Sequence, residues 1–146
     1  MATEKTVRRA AIFGASGGIG NALATALADR GTEVWAGSRS GMAVDGRFRG
    51  FRFDLADENS IAAVAEQMAE NPPDIVLVAT GVLTLADGTG PERSFRKLRA
   101  EAMEEAFRIN TIGPALIAKH MLPLLPRDGR LSLGGCRAWR CSEWPS

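Results

Sequence analysis

The stretch GASGGIG, residues 14–20, lies between a short apolar run, RAAIF at 9–13, and a segment whose apolar residues recur at helical spacing. A chain passing from a buried strand into a helix at this point must turn sharply. It also leaves the first N–H groups of the helix without partners inside the helix. Gly14 can take positive φ for the turn, and Gly18 leaves the backbone open where a Cβ would obstruct an approaching anion. Gly20 lets the helix pack close on the strand. A helix N-terminus with free N–H groups favours negative charge, so the loop suits a phosphate. A tight strand-to-helix connection holding no ligand would use the same glycines.

Outward from this loop, strands and helices alternate. Ile19, Ala22, Leu23, Ala26 and Leu27 fall at helical spacing, and Gly31 suits the left-handed residue past a helix end. EVWAGSR at 33–39 reads as a second strand. GFRFDL at 50–55 reads as a third, with Phe51, Phe53 and Leu55 alternating against polar residues. DENSIAAVAEQMAEN at 57–71 opens on capping residues and sets Ile61, Val64, Ala65 and Met68 on one helical face, and Pro72-Pro73 ends it. DIVLVAT at 74–80 has the continuous apolar character of a strand buried on both faces. Residues 82–99 read as a loop with a short helix, 100–122 as a long helix, and GRLSLGG at 129–135 as the start of a fifth strand. The expected fold is α/β, a Rossmann-like, doubly wound, mostly parallel sheet truncated after the fourth or fifth strand.

The composition excludes several classes. With 45% hydrophobic and 24% charged residues in 146, the chain has the balance of one soluble domain. A net charge of +1 creates no field to gather nucleic acid or an anionic membrane, and Arg47, Arg49 and Arg52 read as a solvated loop and strand face. The N-terminal residues lack a signal-peptide pattern, and IVLVATGVLTLA at 75–86 is too short to span a bilayer. A cytoplasmic location is expected. Cys136, Cys141 and His120 follow no common zinc spacing, so no metal is expected.

The glycine spacing is G-x-x-x-G-x-G, which differs from both the general dinucleotide fingerprint and the P-loop. It resembles the glycine motif of the short-chain dehydrogenase/reductase family. Asp54-Leu55 after the third strand, ATG at 79–81 after the fourth and NTIGP at 110–114 in the long helix match further family motifs in order. The resemblance covers residues 7 to about 130. It implies a nicotinamide dinucleotide contacted by Gly14, Ser16, Gly18, Ile19 and Gly20, by Ser38 and Arg39, by Asp54 and Leu55, and by Ala79, Thr80 and Gly81. No acidic residue ends the second strand, whereas Arg39 could fork onto a 2′-phosphate, which favours NADP(H) over NAD(H). The resemblance assigns Asp54 to the adenine amino group. A turn residue opening the next helix would account for the same aspartate.

Pro114 interrupts the long helix and removes the hydrogen bond to the carbonyl of Asn110, four residues back. A kink that frees this oxygen follows. In the family, the matching asparagine carbonyl holds a water in a proton relay that runs through a lysine to a tyrosine. Asn110 is therefore the one catalytic candidate.

The chain contains no tyrosine. In the family, a tyrosine hydroxyl moves the proton while hydride passes between the cofactor and a carbonyl or carbinol carbon. Ser132 lies inside the fifth strand, too early to be the family's serine. The expected assignment is residues 1–130 as an incomplete NADP(H)-binding domain and 131–146 as a divergent or frameshifted tail. That tail holds both cysteines and two of the three tryptophans, residues whose codons contain G. Its expected alternative is a genuine irregular cap. The expected function is that of an oxidoreductase acting on a small carbonyl or alcohol, with little turnover by this chain. The rivals are a non-catalytic NADP(H)-binding module and a fragment without function. The expected partners are the cofactor, a small substrate and, through the 100–122 helix, a second copy of the chain.

Overall fold

A computed structural model describes residues 6–43, 45–90, 92–134 and the backbone of 139–140. The strands are β1 (Arg9–Phe13), β2 (Glu33–Ser38), β3 (Arg49–Arg52), β4 (Ile75–Val78), β5 (Arg130–Leu133) and β6 (Trp139–Arg140). The α-helices are α1 (Gly18–Ala28), α2 (Glu58–Met68), α3 (Ala100–Phe107) and α4 (Gly113–Met121). The sheet order is β3-β2-β1-β4-β5-β6. The first five strands are parallel, and only β6 runs antiparallel, on β5. The expected Rossmann-like α/β fold is therefore present. From β1 the chain first builds outward through β2 and β3, then returns to lay β4 and β5 on the other side. The crevice where the order reverses, at the carboxyl ends of β1 and β4, is where such sheets bind ligands.

Side-chain alternation along the strands makes two cores. On one face Ala11, Phe13, Phe51, Phe53, Val76, Val78 and Leu131 pack under α2 and α4, with Ile61, Val64, Ala65, Met68, Ile117 and Met121 facing them. Phe13 meets Phe51 and Phe53 edge-on, with ring centroids 5.0 Å apart in both pairs. Gly37 makes room for this group, because a Cβ there would lie 2.4 Å from the Phe51 ring. On the other face Ile12, Val34 and Ala36 pack with Ala24 of α1 and with Phe48.

Four details depart from the sequence pattern. The inner stripe of α1 is Gly20, Ala24 and the half-buried Leu27 and Ala28, while Ile19 is 75% exposed and Leu23 38%. Small residues win this face because the helix sits too close to the sheet for larger ones. In β4, Val76 and Val78 are buried but Ile75 and Leu77 only half-buried, since α1 lies over β1 and β2 and no other described helix covers that face beyond them.

The long helix is not one α-helix. A π-helical turn, Arg108–Ile112, separates α3 from α4, so the irregularity begins before Pro114, which occupies the first turn of α4. The Gly113 N–H reaches back five residues to the Arg108 carbonyl. The extra residue in this turn accommodates a proline that cannot donate and that would press on a normal preceding turn. In α3, Ala102 is buried, whereas Met103 and Phe107 face outward. Finally, Trp139 and Arg140 pair with Leu131 and Arg130. That pairing gives part of the tail a strand that its residue pattern did not suggest, and it covers half of the β5 edge. Cys136 and Cys141 lie outside the described residues.

Candidate functional site

The glycine loop is fixed to the sheet from below. The N–H groups of Gly14 and Ala15 both donate to the Gly37 carbonyl, at 3.1 and 2.9 Å. Gly14 takes φ +91°, and a Cβ there would lie 3.0 Å from the Ala79 backbone. At Gly20 a Cβ would fall 2.1 Å from the Gly14 carbonyl oxygen. Helix and loop thus touch backbone to backbone, which only glycine allows.

The first intrahelical bond runs from Asn21 N–H to the Gly17 carbonyl at 2.9 Å. The N–H groups of Gly18, Ile19 and Gly20 precede that bond, and Gly17, as N-cap, brings no side chain to satisfy them. At Gly18 nothing lies within 4 Å of an ideal Cβ. Ser16 is exposed beside it. A bare helix end facing open space is a ready cradle for a phosphate oxygen.

On one side of this cradle lie the ends of β2 and β3. Ser38 is buried, and its hydroxyl is spent within the loop: it accepts from the Gly41 N–H at 3.1 Å and lies 3.1 Å from the Ser40 hydroxyl. Arg39 is exposed and has no partner among the described residues. Asp54 accepts from the Ala56 N–H at 2.8 Å through one carboxylate oxygen, while its own N–H donates to Ser60 Oγ at 2.8 Å. The turn reading of Asp54 therefore has a visible basis, and its second carboxylate oxygen remains available. Leu55 packs where a Cβ on Gly113 would lie 2.7 Å from it, so it joins the β3 exit to the start of α4.

On the other side β4 ends in Ala79, Thr80 and Gly81. The Ala79 N–H donates to the Phe13 carbonyl at 2.8 Å and extends the β1–β4 ladder. The Thr80 methyl stands 3.1 Å from the ideal Cβ position of Gly14. Thr80 Oγ1 is buried without a hydrogen-bond partner among the described residues. Beyond Gly81, the Asn110 side chain clamps the loop: its Oδ1 accepts from the Val82 N–H and its Nδ2 donates to the Val82 carbonyl, both at 2.8 Å. Sequence reasoning looked at the Asn110 main chain and missed this side-chain role. An amide side chain matches an open backbone strand bond for bond, but the pairing spans 28 residues and has no local signal.

The structure thus brings Gly14, Ser16, Gly18, Ile19 and Gly20 to the centre of one edge of the sheet. It sets Ser38, Arg39, Asp54 and Leu55 to one side, and Ala79, Thr80, Gly81 and Asn110 to the other. The Arg47, Arg49 and Arg52 cluster is exposed as expected: Arg47 pairs with Asp29 and Asp45, and Arg49 with Glu33. Among the described residues no group of three His, Cys, Asp or Glu could hold a metal ion, and no helix is long and apolar enough to cross a membrane.

The sequence model of the short chain dehydrogenase family matches residues 8–131, and the chain belongs to that family. No curated protein matches the chain. Solved structures with the same fold include a short-chain dehydrogenase/reductase from Burkholderia multivorans with bound NADP, at 22% identity and TM-score 0.76, covering 87% of this chain and 58% of that one. A carbonyl reductase from Pseudomonas aeruginosa PAO1 matches at 24% identity and TM-score 0.74, over 86% of this chain and 59% of its own. The ligand-free aldohexose dehydrogenase of Thermoplasma acidophilum matches at 17% identity and TM-score 0.71, over 87% and 48%. The chain spans 48% to 59% of the length of these proteins.

Proposed function

We propose that this chain binds NADP(H) at the carboxyl edge of its sheet, as the dinucleotide-binding part of an oxidoreductase acting on a small carbonyl or alcohol. The observation that carries the reading is the cradle at Gly18. The helix starts there without a side-chain cap and with open space beside Gly18, and the same edge carries an exposed cation at Arg39 and, among the described residues, a buried hydroxyl without a partner at Thr80. These features fit a dinucleotide. The N–H groups of Gly18, Ile19 and Gly20 would hold the pyrophosphate, with Gly14 and Ser16 shaping the loop. Arg39, next to Ser38, would meet a 2′-phosphate, and Asp54 with Leu55 would bound the adenine. Ala79, Thr80 and Gly81 would line the opposite wall, and the Asn110 main-chain oxygen is the candidate for a proton relay. When bound, the nicotinamide supplies or accepts a hydride.

The chain has no tyrosine to move the accompanying proton by the family's route, so this reading assigns binding without appreciable turnover to the 146 residues. It treats residues 1–130 as the binding domain and 131–146 as a tail of separate character. A second copy of the chain would meet the outward residues Met103, Phe107 and Ile112. Calorimetric titration with NADPH and NADH tests the reading. NADPH should bind roughly tenfold more tightly, the worth of one charge-assisted hydrogen bond, and Arg39→Ala should erase the difference. Equal affinity for both cofactors would reject the NADP(H) preference, and no binding of either would reject the function.

A further inference from the structure

We infer that the Thr80 hydroxyl is itself a ligand-binding group, sealed in the free chain and turned outward to the nicotinamide-side ribose when the dinucleotide binds. The inference rests on the dinucleotide reading and deepens it. A buried hydroxyl almost always has a partner, because leaving one unmade forfeits the hydrogen bonds that water provided. Thr80 Oγ1 has none. A buried threonine and a buried serine at the sheet ends do have one: Thr32 Oγ1 donates to the Val7 carbonyl at 2.8 Å, and the Ser38 hydroxyl is held within its loop.

The place of the orphan matters. Thr80 follows β4, at the point where the strand order reverses, and its methyl faces Gly14. The residue as a whole is only half-buried although its Oγ1 is sealed. A threonine side chain has three staggered positions about Cα–Cβ, so one rotation moves the hydroxyl out of its closed position without moving the backbone. The strand order also says which part of the ligand it meets. Arg39 and Asp54 stand at the ends of β2 and β3, on one side of β1, and Thr80 stands at the end of β4, on the other. An adenosine half held by Arg39 and Asp54 leaves the pyrophosphate over the glycines and the second ribose on the β4 side. A ribose hydroxyl can both donate to and accept from threonine.

Two ligands and two substitutions test this. Wild type and Thr80→Val are titrated with NADPH and with 2′,5′-ADP, which carries only the adenosine half, and the melts of the free chains are compared. Valine keeps the shape and removes the unpaired hydroxyl, so free Thr80→Val should melt at or above wild type. Its NADPH affinity should fall roughly fivefold to tenfold, the loss of one hydrogen bond, while its 2′,5′-ADP affinity stays unchanged. Thr80→Ser should bind NADPH as wild type does. A purely structural hydroxyl would give the opposite pattern: a lower melt and unchanged NADPH binding. NADPH bound equally by wild type and Thr80→Val overturns the inference and leaves the dinucleotide reading intact, as does an equal loss of both ligands. A wild type that binds neither ligand overturns both. If the valine variant does not melt cooperatively, Thr80→Ala carries the same comparison.

Discussion

The two ends of the sheet treat their polar atoms in opposite ways. At the amino end, beneath β1 and β4, Asp74 is 8% exposed, and one of its carboxylate oxygens accepts from the N–H groups of Arg8 and Arg9, at 2.8 and 3.1 Å. Its own N–H donates to the Arg9 carbonyl, and its carbonyl accepts from Arg130. The Arg9 side chain reaches Pro72 and Asn71. This end is closed on itself. At the carboxyl end, among the described residues, α1 starts without a side-chain cap and one buried hydroxyl has no hydrogen-bond partner. An unpaired buried polar atom destabilises a chain, so the orphan hydroxyl beside an uncapped helix start sets this edge apart from the closed one. The satisfied end holds the strands in register, and the unsatisfied end is the one to which the proposed function assigns the dinucleotide.

That contrast can be broken from either end. The largest effect is expected at Gly20. A Cβ 2.1 Å from the Gly14 carbonyl must force helix and loop apart, so Gly20→Ala should lower stability by ~3 kcal/mol or more in urea unfolding and abolish NADPH binding. A normal melt with intact binding would show that the loop geometry is not the site. Next comes the closed end. Asp74→Ala leaves two amides without their acceptor, so a loss of about 2 kcal/mol is expected, and any protein still folded should bind dinucleotide with unchanged affinity. A selective loss of binding would mean that the two ends are not independent.

A smaller effect belongs to Asn110. Its two bonds to Val82 hold the loop after β4 from an exposed position, so Asn110→Ala should cost about 1 kcal/mol. Faster hydrogen exchange at the Val82 amide is the sharper readout, and unchanged exchange would count against the clamp.

The smallest effect lies on the outer layer. Glu58, at the first turn of α2, accepts from Lys119 at 2.6 Å and His120 at 2.9 Å at the end of α4. The Lys119 hydrogen bond, followed by that from His120, holds the Glu58 carboxyl below its usual range. A carboxylate whose folded pKa is lowered contributes stability that is complete above its unfolded pKa, near 4.5, and fades as pH falls through the folded value. Wild type and Glu58→Gln should therefore differ slightly in melting temperature at pH 7 and converge in acid. A gap that persists at pH 3 would assign the effect to packing instead.

Much of this molecule was legible in its sequence because local chemistry wrote it there. The left-handed Gly14 and Gly31, the packing constraint at Gly20, the Asp57 cap and buried face of α2, and the alternating Phe51 and Phe53 each follow from a residue and its near neighbours. The composition alone establishes that no tyrosine is present. Other features were not legible, since they join residues far apart in the chain. The apolar spacing of α1 named Ile19 and Leu23, but the closeness of the sheet turned Gly20 and Ala24 inward instead. Pro114 announced a disturbed helix, yet only the packing of Gly113 against Leu55 and of Asn110 against Val82 shows what the π turn holds in place. Whether a threonine after an apolar strand is satisfied cannot be read from its neighbours. The sequence by itself determined the turns, the periodicities and the absence of tyrosine, because backbone sterics and side-chain chemistry act within a few residues. Only the tertiary structure decided which polar atoms are paired and which are not, because hydrogen bonding is a matter of three-dimensional proximity.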